Sequence, residues 1–163
     1  MKLYIYPLCA LLLASPGLYA KDFSGHRVGI GMVDSGYLPK NVVLVEYGYE
    51  FNRIIGVNIS GSSYEEDYYE GWLKYDGTYA RISSDIGYTF DFNGWDLKPY
   101  ALLGMIHLNE SNTLSNSSTT EVQYGGGVRA TLDFGGYLDL SFKAMDLEGR
   151  DGNESSLTIG YKF

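Results

Sequence analysis

The chain is poor in several residues that other folds depend on. Its 163 residues include one Cys and four Pro, and 12 Lys plus Arg face 20 Asp plus Glu, a formal net charge of -8. A lone cysteine excludes an internal disulfide framework. The cationic deficit disfavours electrostatic capture of nucleic acid, so no nucleic-acid partner is expected. Beyond the first twenty residues no apolar run approaches the ~20 residues of a membrane-spanning helix. What is abundant is glycine (21) and tyrosine (16), a balance that favours short strands and turns. The length fits one domain.

Residues 1–20 read as a signal peptide. Lys2 supplies the positive start and Leu3 to Leu13 the apolar core. Pro16 and Gly17 break it, and Leu18-Tyr19-Ala20 offers a cleavage site after Ala20. Cys9 lies too early for a lipoprotein junction and leaves with the leader. The remaining chain, 21–163, is then exported without a cysteine and relies on sheet closure, packing or a membrane for stability.

Period-two alternation recurs over 26–33, 42–51, 54–63, 75–90, 97–109, 122–132, 137–146 and 154–163, which predicts eight strands. Leu157, Ile159, Tyr161 and Phe163 oppose Thr158, Gly160 and Lys162. Val43, Val45, Tyr47, Tyr49 and Phe51 oppose Glu46, Gly48 and Glu50. One face is oily, while the other mixes Gly, Ser, Thr and charges of both signs, which suits a crowded lumen rather than a solvated exterior. Strands cross lipid only as a closed barrel, and eight is an allowed even number. The expected fold is therefore all-β, an eight-stranded antiparallel up-and-down transmembrane β-barrel. Residues 97–109 are apolar on both faces, which leaves their parity open; if Gly104 faces the lumen, Leu102 and Ile106 do too.

The connections alternate short and long, as in bacterial barrels with both termini in the periplasm. Asn52-Arg53, 91–96 and 133–136 are short, whereas 34–41, 64–74, 110–121 and 147–153 are mostly longer. The same alternation turns Arg27, Glu46, Glu50, Arg81, Asp85, Arg129, Asp139, Lys143 and Lys162 inward, where opposite charges can pair and plug the interior.

The C-terminal run Leu157-Thr158-Ile159-Gly160-Tyr161-Lys162-Phe163 resembles the terminal signal by which outer-membrane barrels are recognised for assembly, with Tyr161 and Phe163 in its aromatic positions. Tyr47-Gly48-Tyr49-Glu50-Phe51-Asn52, 86–90, 98–104, Tyr124-Gly125-Gly126-Gly127-Val128 and 138–142 resemble, in order, the hairpins of small OmpA-like and Ail/OmpX-like barrels. The resemblance covers essentially the whole chain after the leader. It implies an integral, monomeric protein of the bacterial outer membrane, in contact with lipid and lipopolysaccharide and inserted by the barrel assembly machinery. It also implies roles in adhesion, serum resistance or envelope integrity, through ligands of the host or cell surface.

Chemical motifs are sparse. His107-Leu108-Asn109 carries Asn where lipid A deacylase barrels carry Ser, and Ser84-Asp85 is too common a dipeptide to identify a palmitoyltransferase. No metal pair, phosphate loop or nucleophile elbow is present, so no enzyme activity or cofactor is expected. Tyr64, Glu65, Glu66, Asp67, Tyr68, Tyr69, Glu70 and Trp72 form the most distinctive segment. Its aromatics offer rigid contact area and its carboxylates a place for Ca2+ or Mg2+ near lipopolysaccharide; equally, it reads as a solvated loop above an aromatic girdle. Specificity is expected in 64–72 and 109–120. A lipid-modifying enzyme, a minor pore and a soluble periplasmic barrel are the competing readings.

Overall fold

The computed structural model describes residues 23–36, 42–68, 73–112, 116–147 and 150–163; the leader assigned to 1–20 lies outside them. The strands are β1 (Gly25–Ser35), β2 (Val42–Glu50), β3 (Ile55–Tyr68), β4 (Leu73–Gly87), β5 (Phe90–Phe92), β6 (Trp95–Asn112), β7 (Asn116–Leu132), β8 (Gly136–Leu147) and β9 (Arg150–Lys162). All neighbours are antiparallel, β1 pairs with β9, and β4 pairs with β6 to close the sheet.

The barrel has eight staves because β4 and β5 are one interrupted strand. Both pair with β6 in a single register, Gly87 opposite Tyr100 and Phe90 opposite Leu97. The interruption falls at Tyr88-Thr89, where the Thr89 amide and hydroxyl both donate to the Arg53 carbonyl at 3.0 Å.

Closure has a definite stagger. The pairing runs from Gly25 to Glu50, Gly56, Asp85, Leu102, Gly125, Lys143 and Glu154, and returns to β1 at Ser35, ten residues from its start. With ordinary strand spacings, that stagger over eight strands tilts each strand about 40° from the barrel axis. The wall bends tightly enough that a Cβ on Gly125 would overlap the Phe142 carbonyl of β8.

Short turns close the end where β1 begins and β9 ends. Asn52 Oδ1 accepts the amides of Ile54 (2.7 Å) and Ile55 (3.0 Å). In the turn Phe92-Asn93-Gly94-Trp95, Gly94 has a φ of 94°, which an L side chain rarely adopts. At the other end the 64–74, 110–121 and 147–153 connections are shorter than the sequence predicted. β3 and β4 continue to Tyr68 and from Leu73, β6 and β7 to Asn112 and from Asn116, and β8 and β9 to Leu147 and from Arg150. The alternation fades there because the strands have left the apolar environment that imposes it.

The outward face is apolar across the middle of the wall, with Val45, Ile159, Leu103 and Ile82 all more than half exposed. Aromatics gather towards the short-turn end, where Phe51, Phe90, Phe92, Trp95, Phe134, Tyr161 and Phe163 are exposed and Phe92 stacks on Trp95 at 4.7 Å. On β6 the apolar stretch from Trp95 to Met105 spans roughly 25 Å along the axis, which matches the apolar band of outer-membrane barrels. The open parity of this strand resolves with Lys98, Tyr100, Leu102, Ile106 and Leu108 inside and Leu103 and Met105 outside. The described residues contain no helix able to cross a membrane.

Candidate functional site

The lumen is filled in layers. Nearest the short turns, Asp85 is fully buried between two cations. Lys98 Nζ lies 2.5 Å from Asp85 Oδ1 and 2.5 Å from Glu50 Oε2. Arg129 Nη2 lies 3.4 Å from Asp85 Oδ2, Nη1 pairs with Glu50, and Nε donates to Asp139 Oδ2 at 2.7 Å. Tyr100 donates its hydroxyl to Asp139 Oδ1 at 2.7 Å, and its ring lies 5.0 Å from the Arg129 guanidinium. Arg27 reaches Glu46 (3.3 Å), Glu50 (3.4 Å) and Asp85 (3.6 Å) and donates to Asn58, which donates to Asp85 at 3.0 Å. Buried charge is tolerable only when paired and hydrogen-bonded in this way.

A second layer sits higher. Arg81 Nη2 meets Glu154 Oε2 at 2.6 Å, and Lys143 Nζ meets Glu154 Oε1 at 3.0 Å and Ser156 Oγ at 2.9 Å. Above and beside it Val33, Val42, Leu44, Tyr79, Ile106, Leu108 and Met145 form an apolar plug. The inner face is therefore not polar throughout, as the alternation suggested.

Of the inward charges named from sequence, Arg27, Glu50, Arg81, Asp85, Arg129, Asp139 and Lys143 are buried in the lumen, while Glu46 and Lys162 are half-buried there. Lys98, Asp96 and Glu154 join them without having been singled out. Between mouth and plug these make six cations and six carboxylates, an electrically neutral interior. At the mouth Lys162 Nζ donates to the Phe23 carbonyl at 2.7 Å, and the Arg53 guanidinium lies 4.3 Å from the Phe23 ring and 5.0 Å from that of Tyr88. This clasp leaves a recess of about 20 Å³, room for roughly one water.

With the lumen neutral, the net charge sits elsewhere. Among the described residues, the outer strand ends carry Asp34, Glu65, Glu66, Asp67, Asp76, Glu110, Glu121, Asp146 and Asp151 against Lys74 and Arg150. These nine carboxylates against two cations leave an excess of seven, most of the chain's net charge of -8.

The four strands β3, β4, β6 and β7 rise above the apolar band. Their outward faces change from Ile59 to Ser63, from Ile82 to Thr78 and Asp76, from Met105 to His107 and Asn109, and from Val122 to Thr120 and Ser118. On β6 the rise beyond Met105 to Asn112 is roughly 18 Å. Tyr64, counted from sequence with the surface segment, instead packs against the plug over Gly77. Residues 65–68 continue β3, and 69–72 lie outside the described residues.

The histidines have separate surroundings. His26 Nδ1 lies 2.6 Å from the Tyr47 hydroxyl and its ring stacks on Phe163 at 5.7 Å. His107 Nδ1 lies 2.7 Å from Thr120 Oγ1 on the exposed outward face. Among the described residues no three His, Cys, Asp or Glu side chains are grouped to hold a metal.

Residues 8–163 match the family described as the outer membrane protein beta-barrel domain. Several solved structures share the fold, among them the following three. Ail, the attachment invasion locus protein of Yersinia pestis, in complex with the heparin analogue sucrose octasulfate, has a TM-score of 0.58 and 23% identity, over 86% of this chain and 97% of that one. The N-terminal β-barrel domain of Pseudomonas aeruginosa OprF has a TM-score of 0.59 and 17% identity, over 86% and 99%. Neisserial surface protein A has a TM-score of 0.52 and 14% identity, over 86% and 96%. No curated protein matches the chain.

Proposed function

Because this chain belongs to the outer membrane protein β-barrel domain family and is an integral protein of the bacterial outer membrane, we propose that it acts as a surface interaction protein through its raised outer rim. One observation carries the reading: the lumen is filled by paired charges and an apolar plug, while β3, β4, β6 and β7 extend beyond the apolar band with polar outward faces. A filled barrel has little to offer as a conduit, whereas strand extensions and loops vary without disturbing the membrane-spanning ladder.

The partner differs in charge from the sulfated ligand bound to Ail. An excess of seven carboxylates along the described outer strand ends repels a sulfated polyanion and favours a basic partner. Divalent cations would be needed where this rim meets lipopolysaccharide phosphates.

Replacing 64–74 and 109–120, one at a time, by short Gly/Ser turns tests the reading. Heat-modifiable migration reports folding, and adhesion and serum survival report function. Loss of either phenotype with folding intact supports the surface role; unchanged phenotypes with folding intact point to a structural envelope role instead. The enzymatic reading draws on the His107–Thr120 contact, which is exposed and for which the described residues show no orienting hydrogen bond. An acyl-chain change in lipid A that depends on the protein, seen by mass spectrometry, would reinstate it.

A further inference from the structure

β1 opens with a bend. Its first residue, Gly25, has a φ of 150°, in the range that L side chains rarely adopt, and a Cβ there would meet the Phe163 carbonyl oxygen at 3.0 Å and Lys162 Cε at 3.1 Å. The wall runs out of neighbours at this level. Gly25 lies opposite Glu50, the last residue of β2, and His26 exchanges backbone hydrogen bonds with Phe163, one residue past the end of β9. Residues 23–24 precede the strand, and the bend carries them across the short-turn mouth instead of along the wall.

Phe23 is seated there by two cations. Lys162 Nζ donates to its carbonyl at 2.7 Å, and the Arg53 guanidinium lies over its ring at 4.3 Å. Arg53 is held in turn by the Tyr88 hydroxyl, to which Nη1 donates at 2.8 Å. Phe23 thereby becomes one wall of the small recess whose other walls include Glu50, Lys98 and Arg129 of the lower charge layer. Those pairs draw strength from a setting with little water, and water admitted to it would compete for them. A cation over a ring and one charge-assisted hydrogen bond are modest anchors beside a continuous strand ladder, so this segment opens more readily than any stave.

We propose that residues 23–25 form a strap, bent at Gly25 and docked through Phe23, that closes a blind recess at the mouth; swung out, it admits small polar solutes from the periplasmic side to the lower charge layer. The recess is blind because the upper charge pairs and the apolar plug fill the lumen beyond it. The strap belongs to the end of the barrel opposite the raised rim and is independent of the surface-interaction reading.

The test uses the full chain, folded in lipid nanodiscs. Thr131 lines the recess, and Thr131→Cys with Cys9→Ser places a single thiol there. Its modification by a small charged methanethiosulfonate is followed by mass spectrometry, with heat-modifiable migration reporting that each variant is folded. The thiol should react slowly beside Phe23, faster by on the order of tenfold in Phe23→Gly, and slowly again in Phe23→Tyr, which keeps the ring. Arg53→Gln and Lys162→Met each remove one anchor and should give intermediate rates. A thiol placed instead in the upper layer, Ser156→Cys, should stay unreactive throughout, which separates opening of the mouth from loosening of the barrel. Independently of any thiol, a 4-fluorophenylalanine at position 23 should give a fluorine resonance distinct from that of the free amino acid and move towards it in Arg53→Gln. Equal rates with and without Phe23, no response to the Arg53 and Lys162 variants, a reactive Ser156→Cys in Phe23→Gly, or a solvent-like fluorine resonance in the otherwise unaltered chain would each overturn the strap.

Discussion

Arg81 on β4 and Glu154 on β9 stand on opposite walls of the barrel, four staves apart in either direction, and their side chains meet at 2.6 Å across the lumen. Arg129 on β7 and Glu50 on β2 make a second diametric pair nearer the short turns. Each pair braces the cylinder and occupies the space a channel would need.

Removing both members of the upper pair should cost less than the two single losses added together. Glu154→Gln leaves Arg81 and Lys143 short of their shared carboxylate, and loss of one buried partner costs about 3–5 kcal/mol. Arg81→Met with Glu154→Gln should cost clearly less than the sum of the singles. Urea unfolding in lipid vesicles measures all three, and additive losses would mean that the cross-lumen contact contributes little.

Planar bilayers containing the folded protein should show no stable single-channel conductance of porin size, because charge layers and plug fill an eight-stranded interior. Such a conductance would mean that the lumen rearranges in the membrane.

Val45 and Ile159 are each more than 60% exposed within the apolar band. Val45→Arg or Ile159→Arg should cost about 2–4 kcal/mol at mid-membrane, whereas Asn109→Arg, on the raised outer face, should cost about 0–1 kcal/mol. Equal costs at these positions would misplace the band.

His26 and Phe163 exchange backbone hydrogen bonds of 2.8 Å in both directions, and their rings stack. Deleting Phe163 should reduce the heat-modifiable, assembled fraction by removing both the end of the β1–β9 joint and the terminal signal. Normal assembly of the deletion would leave Phe163 a girdle residue alone.

How much of this was legible in the sequence depended on what lay on each face. Val43, Val45 and Tyr47 alternate with Glu46 and Gly48 because lipid and lumen impose opposite demands there. Lys98 escaped notice because the inner face of β6 continues through Leu102, Ile106 and Leu108 into the plug, and two apolar faces cancel the period-two signal. Glu154 escaped for the converse reason: its neighbours Asn153 and Ser155 are polar and face outward, near the upper limit of the band. Tyr64 looked like loop because nothing in an aromatic and acidic run reveals that β3 continues. Its inward packing against the plug depends on Gly77, a residue of the neighbouring strand.

The ten-residue stagger makes the wall intolerant of small errors in counting. A one-residue insertion within any stave would reverse the facing of everything beyond it, presenting carboxylates to lipid and isoleucines to the charge layers. Because the sheet is closed, the mistake could not be confined to one hairpin; it would reappear at the β1–β9 joint, where the first and last strands meet and His26 faces Phe163. That joint joins the residues farthest apart in sequence, so it cannot form early at low entropic expense. It works as a final comparison of the lengths of all preceding staves. Length variation among proteins of this architecture should therefore collect in the connections and above the band, where an added residue meets water on both faces.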